Sequence, residues 1–177
     1  VEPKVTIETS NRSLIDGSNG FGHYTARWAM KRAILKAKET GVYCANLIRI
    51  GHIGRLGEYA EAAAIEGCIS LITVGSGGKG DGRITPFGGV EGALGTNPIA
   101  IGVPTGDLVP FVIDMATSVI AEGKIQVARS MNVDLPPGYI VDQQGNPSVK
   151  TRDFYDGGFL LPFGQHKGYA ISLLVCL

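Results

Sequence analysis

Ile69-Ser70-Leu71-Ile72-Thr73-Val74-Gly75-Ser76-Gly77-Gly78-Lys79-Gly80 is an apolar run leading into a G-x-G-x-x-G pattern, and its continuation decides the fold. The Rossmann dinucleotide fingerprint needs a helix to open at the third glycine, so that a pyrophosphate meets free backbone N–H groups. Here the chain continues Asp81-Gly82-Arg83-Ile84-Thr85-Pro86-Phe87-Gly88-Gly89, where no helix can begin. A P-loop fails too, because Lys79 is followed by Gly80 rather than Ser or Thr. The glycines read as a turn, or as room for backbone to approach a ligand, and any cofactor site must use another geometry.

Outward from this stretch, helices and strands alternate. Residues 5–8 read as a short edge strand, and 13–17 as a turn into 19–22. Residues 23–38 form an amphipathic helix with Trp28, Ala29, Ala33, Ile34 and Ala37 on one face. Arg27, Lys31, Arg32, Lys36 and Lys38 lie mostly opposite and read as a solvated face. Residues 42–50 and 69–74 read as buried strands, with a helix over 56–66 that turns Tyr59, Ala60, Ala63 and Ala64 inward. Two more strands follow at 98–103 and 109–113, then a helix over 119–129, and 139–142 leads into the turn Gln144-Gly145-Asn146-Pro147. This interleaving predicts one mixed α/β (or α+β) core, a mixed sheet flanked by helices.

The 16 basic and 16 acidic residues cancel and are dispersed, which leaves no electrostatic footprint for nucleic acid or an anionic membrane. A small-molecule partner is the expectation. The 26 glycines cluster in 75–95 without a fixed period, so they mark one functional loop region rather than a repeat. Cys44, Cys68 and Cys176 lack metal-ligand spacing and read as small buried hydrophobes in a reducing compartment, with no metal site. With no charged-then-apolar leader before residue 20 and no apolar run of spanning length, the expectation is a soluble, cytoplasmic protein. The run 171–177 carries no C-terminal cap, so the chain is expected to stop inside a helix.

Three places carry chemistry. Leu161-Pro162-Phe163-Gly164-Gln165-His166-Lys167-Gly168 sets an imidazole and a cation between glycines at a helix entrance, where anions or polar cofactor groups bind; a solvated loop is the alternative. Asp114 ends a strand, and Thr117 and Ser118 offer N-cap hydroxyls to the helix expected from 119, a geometry that serves a pyrophosphate or simple capping. His52, between Gly51 and Gly54 after a strand, suits proton exchange near neutral pH, or is a structural histidine. Arg55 reads as a helix-face arginine and His23 as a surface residue.

In their order and spacing, Gly51-His52-Ile53-Gly54-Arg55, Gly95-Thr96-Asn97-Pro98, Val112-Ile113-Asp114-Met115-Ala116-Thr117-Ser118, Glu122-Gly123-Lys124 and the His166-Lys167 stretch resemble the malate/L-lactate dehydrogenase family. These are the type 2 lactate dehydrogenases, unrelated to the Rossmann enzymes, and the chain looks most like the hydroxycarboxylate dehydrogenase branch over residues 16–177. The resemblance implies a non-Rossmann, sulfolactate dehydrogenase-like NAD(P)-binding domain. Residues 1–177 would be part of that NAD(P)-binding and catalytic domain, without the family's N-terminal helical segment and C-terminal remainder. It further implies interconversion of a 2-hydroxycarboxylate and its 2-oxoacid with NAD (NADP as the alternative), in a homodimer. Asp114, Met115 and Ala116 would contact the dinucleotide, and Ser76, His166 and Lys167 would line its site. His52 would be the proton acceptor, in competition with a histidine of a Ser-His-Gly motif outside this sequence. Relatives often carry Asn-Ser where this chain has Gly75-Ser76. Within the family the runner-up is a cyclic imine or diketo-sugar-acid reductase, and outside it a nucleotide-binding or subunit-interaction module without turnover.

Overall fold

The computed structural model of the chain describes residues 2–76, 82–107 and 109–176. Residues 77–81, the middle of the rejected fingerprint, lie outside the described residues. From residue 82 onward Ile84 bridges Leu94 and Leu160, and among the described residues no helix forms before residue 122. Where the interleaving predicted one core, the chain divides into two compact units, Val1–Ile72 with Ala100–Asp114, and Thr73–Ile99 with Met115–Leu177.

In the first unit, β1 (Lys4–Glu8) pairs antiparallel with β2 (Arg12–Gly20), and β2 pairs parallel with β3 (Cys44–Ile50). The long helix α1 (Gly22–Thr40) joins β2 to β3 and closes on Gly41, whose N–H reaches Ala37 O. The turn expected at 13–17 is strand instead. Its Asp-Gly signal is local, whereas β2 is paired on both sides and buries Ser13, Ile15 and Asp16, and tertiary pairing overrides local preference. Four of the five basic residues of α1 are tied down by Arg27–Glu58, Arg32–Glu8, Lys36–Glu39 and Lys38–Glu66 pairs, as befits a solvated face.

Helix α2 (Gly57–Ile65) buries Tyr59, Ala60, Ala63 and Ala64, as its sequence predicts. A second three-stranded sheet runs β4 (Ser70–Thr73), β5 (Ile99–Val103), β6 (Phe111–Met115), and all but its strand ends belongs to the first unit. Gly102 runs so close to α2 that a Cβ there would lie 2.2 Å from Ala60 O, so this face of the sheet rests on α2. The other face is open: Ile69 is 75% exposed, Leu71 66% and Phe111 56%. The strands expected to be buried at 42–50 and 69–74 are therefore covered on one side at most. Apolar runs report a preference for burial, and the covering element has to come from elsewhere.

The second unit holds α3 (Glu122–Ser130), β7 (Ile140–Val141), β8 (Pro147–Ser148), α4 (Thr151–Tyr155), β9 (Phe159–Leu160) and α5 (His166–Cys176). A small sheet of order β8-β7-β9 packs into a closed core of Ile84, Leu94, Ile125, Leu135, Ile140, Phe154 and Leu160. The expected turn after β7 is built on Asp142, whose carboxylate accepts from the N–H groups of Gln144 (2.9 Å) and Asn146 (2.8 Å). Helix α3 begins at residue 122 rather than 119, with Ala121 as its N-cap and no side-chain capping bond. Cys44 is exposed and Cys68 and Cys176 are half-buried, the last packed against the margin of the second unit's core, so the expectation of buried cysteines fails. Among the described residues no helix is long and apolar enough to cross a membrane.

Candidate functional site

The loop that carries His52 is held at four points within the first unit. The N–H of Gly51 donates to Gly20 O (3.3 Å), and the buried Tyr59 hydroxyl donates to Ile53 O (2.5 Å). Burial pushes the Tyr59 phenol up, which keeps it a donor. The N–H of Gly54 donates to His52 Nδ1 (3.1 Å), and Gly54 itself lies under the ring of His23. Gly54 has φ +75°, and a Cβ there would come 2.5 Å from His23 Nε2, so both conformation and space require glycine. His23, expected at the surface, is half-buried: Phe21 stacks on it at 4.9 Å, and its centroid lies 6.2 Å from that of His52.

The strand ends that lead into this loop are irregular. The β2–β3 register shifts between Asp16 and Gly20, and Ser18, Asn19 and Arg49 all adopt positive φ. Asp16, 5% exposed, accepts from the Ser18 N–H (2.8 Å) and pairs with Arg49. The Arg49 guanidinium, helped by the Ser18 amide, holds the Asp16 carboxyl below its ordinary range. Residues kept in such sparsely populated conformations gather at functional sites and need support from their surroundings.

Asp114 has a structural partner. Its Oδ2 accepts from the N–H of Gly57 (2.7 Å), the first residue of α2, with Arg55 Nε 3.6 Å away. A carboxylate from β6 thus caps the positive end of α2. Arg55, also 3.9 Å from Glu61, lies just before α2 rather than on a helix face, and sits among these carboxylates. Thr117 and Ser118 do not cap α3. The Thr117 hydroxyl donates to Thr96 O (3.1 Å) and the Ser118 hydroxyl to Ile120 O (2.8 Å), because residues 117–119 run extended beside 161–163 before the helix starts. The expected N-terminal cradle after Asp114 is therefore absent at that point.

The remaining expected cofactor residues, Ser76, Ala116, His166 and Lys167, all lie in the second unit. Phe163 N–H donates to Thr117 O (3.0 Å), and Ser118 bridges Pro162, which sets Ala116 next to the segment ending in His166 and Lys167. Both His166 and Lys167 are exposed in the first turn of α5. The Lys167 and Gly168 amides are already bonded to Gly164 O and Phe163 O, so this helix end offers chiefly its side chains. Phe87 meets the His166 ring edge-on at 5.7 Å.

Asn97 fastens the Ser76 segment to the later turns of α5, and sequence reasoning gave it no role. It is 1% exposed, with φ +33°. Its Oδ1 accepts from the Ser76 N–H (2.9 Å), and its Nδ2 lies 3.0 Å from Ser172 Oγ and 2.9 Å from Cys176 Sγ. The Cys176 thiol in turn donates to Ser76 O (3.1 Å). The available signal was an asparagine between Thr96 and Pro98, since asparagine tolerates the left-handed region better than other side chains. Among the described residues no group of His, Cys, Asp or Glu is arranged to hold a metal ion.

Known proteins resemble this chain in sequence and fold. The family model for malate/L-lactate dehydrogenase matches residues 1–177. Malate dehydrogenase of Pyrococcus horikoshii is 40% identical over 184 residues, which cover 99% of this chain and 50% of that protein. Hydroxycarboxylate dehydrogenase B of Escherichia coli (strain K12) is 36% identical over 173 residues, 97% of this chain and 47% of the relative. The solved structure of delta1-piperideine-2-carboxylate reductase from Pseudomonas syringae pvar. tomato matches with TM-score 0.90 at 36% identity, over 98% of this chain and 51% of that one. This chain spans about half the length of each of these relatives. With the match running its full length and the fold shared, the chain belongs to the malate/L-lactate dehydrogenase family.

Proposed function

We propose that the full-length protein is a nicotinamide-dependent oxidoreductase that interconverts a malate- or lactate-like 2-hydroxycarboxylate and its 2-oxoacid. The observation that carries this reading is the match of residues 1–177 to the malate/L-lactate dehydrogenase family, with Ser76, Ala116 and the His166-Lys167 pair all lying in the second unit. These residues fit a dinucleotide. Lys167 supplies a cation that makes no ion pair among the described residues, Ser76 a hydroxyl, His166 an imidazole, and Ala116 a small side chain that leaves room. When bound, the nicotinamide supplies or takes up the hydride at substrate C2. Lys167 would neutralise phosphate charge, Met115 and Ala116 would border the dinucleotide, and Asp114, which caps α2, would offer a carboxylate oxygen as a hydrogen-bond acceptor. His52 meets the oxygen on C2. NAD is the cofactor we assign, with NADP the alternative, and a homodimer is the expected assembly.

Steady-state assays of the full-length protein with NAD and NADP against malate, lactate and larger 2-hydroxy acids test the reading. A second reading, cyclic imine reduction, is favoured by the likeness to the piperideine-carboxylate reductase structure. Imine reduction with no rate on any hydroxy acid establishes that second reading; cofactor binding without any turnover establishes a binding module. Lys167→Ala is expected to weaken cofactor binding by about ten- to a hundredfold, the loss of one charge-assisted hydrogen bond, with stability changed by no more than about 0.5 kcal/mol. Calorimetry that finds unchanged affinity in a destabilised variant removes Lys167 from the site.

A further inference from the structure

We propose that His23 is a positioning residue that holds Gly54, through whose amide His52 is kept with its proton on Nε2, so that His52 donates a hydrogen bond to the substrate oxygen at C2. The proposal rests on the oxidoreductase reading above. A backbone N–H is always a donor, so the 3.1 Å contact from Gly54 N requires a lone pair on His52 Nδ1. The neutral ring then carries its hydrogen on Nε2. Moving that proton onto Nδ1, or charging the ring, would set an N–H against the Gly54 N–H and break this bond. A neutral imidazole held this way polarises a carbonyl as a donor. On reduction the hydride adds to C2, the carbonyl π electrons move to oxygen, and that oxygen accepts from His52 Nε2–H. Water supplies the proton that completes the hydroxyl, and recovers it on oxidation.

The Gly54 amide can do this only while its peptide is fixed. His23 lies directly over Gly54 and is itself pinned by the stacked Phe21 ring, and the Tyr59 hydroxyl holds the neighbouring Ile53 carbonyl. His23 Nδ1 is buried and without a hydrogen-bond partner among the described residues, so the ring is held by its packing on Phe21 and Gly54 rather than by a hydrogen bond.

The test uses the full-length protein with ¹⁵N-labelled histidine, the His52 signals being assigned by their loss in His52→Gln. Near neutral pH, Nδ1 of His52 is expected to resonate as the unprotonated nitrogen and Nε2 as the protonated one. His52→Gln keeps an N–H donor and should lower kcat by no more than about tenfold, whereas His52→Ala should lower it by about 10²–10³, the loss of a transition-state donor. A general base would be lost equally in both variants, by about 10²–10⁴. His23→Ala should lower kcat at near-constant KM and mix the two ring forms of His52, with His23→Gln restoring both readouts. A proton on His52 Nδ1, or equal losses in Gln and Ala, overturns the donor role; unchanged His52 signals and kcat in His23→Ala overturn the positioning role. Should the protein reduce no oxoacid and oxidise no hydroxy acid, the hydroxy-acid reading fails, while the ring form and the effect of His23→Ala on it are still read from the spectra.

Discussion

The core around Phe154 and the β4-β5-β6 sheet are built from the same kinds of residue, and they differ in what lies on the far side. Around Phe154, seven apolar side chains from strands, helices and loops close on one another and leave almost no surface. The sheet has α2 under one face, whereas Ile69, Leu71 and Phe111 on the other meet solvent. Apolar composition is thus a property of the segment, and burial is a property of its partners. The two regions accordingly predict very different costs for removing the same amount of side chain.

The largest effect is expected from Phe154→Ala, which empties a closed core and should cost about 3–5 kcal/mol in urea denaturation. A cost near 1 kcal/mol would mean that this core relaxes as easily as the open sheet. Next is Asn97→Ala, which leaves the buried Ser172 hydroxyl and the Ser76 amide without partners; about 1–3 kcal/mol is expected. The first unit contributes a pH dependence instead. The Asp16 carboxyl is lowered by Arg49 and Ser18, so its stabilisation is complete above the unfolded value of about 3.9 and is lost as pH falls through the lower folded value. Urea midpoints should therefore fall on acidification below about pH 4, and Asp16→Asn should flatten part of that slope. Equal slopes in the two proteins would show that the ion pair contributes nothing. The smallest effect belongs to Leu71→Thr, which keeps a strand-compatible residue on the open face and should change stability by no more than about 0.5 kcal/mol. A loss as large as that of Phe154→Ala would show the face to be covered in solution.

Periodicity made the first two helices legible, whereas the short α4 (Thr151–Tyr155) was not foreseen. The 3.6-residue pattern placed α1 and α2 within two residues of their ends and gave the buried face of α2 correctly, because a helix closes its own hydrogen bonds. The fingerprint rejection was equally local, since a helix start needs its residues side by side. What sequence could not show was pairing. The strand at 13–17 depends on two neighbours, one of them β3, some thirty residues away. The capping of α2 by Asp114 spans 57 positions, so the carboxylate was seen without its use. Asn97 stood in a motif already marked, and its role emerged only with the segments it joins.

The sequence distance across those Asn97 contacts also sets an order of events. Its bonds reach 21 positions back to Ser76, and 75 and 79 positions forward to Ser172 and Cys176. Closing such loops carries an entropy cost before any bond is made, so contacts of this span complete late. The latch therefore belongs to the downhill side of the folding barrier. Asn97 variants should speed unfolding while leaving the refolding rate nearly unchanged, and the segment bearing Ser76 would take its working shape only after the rest of its unit has formed.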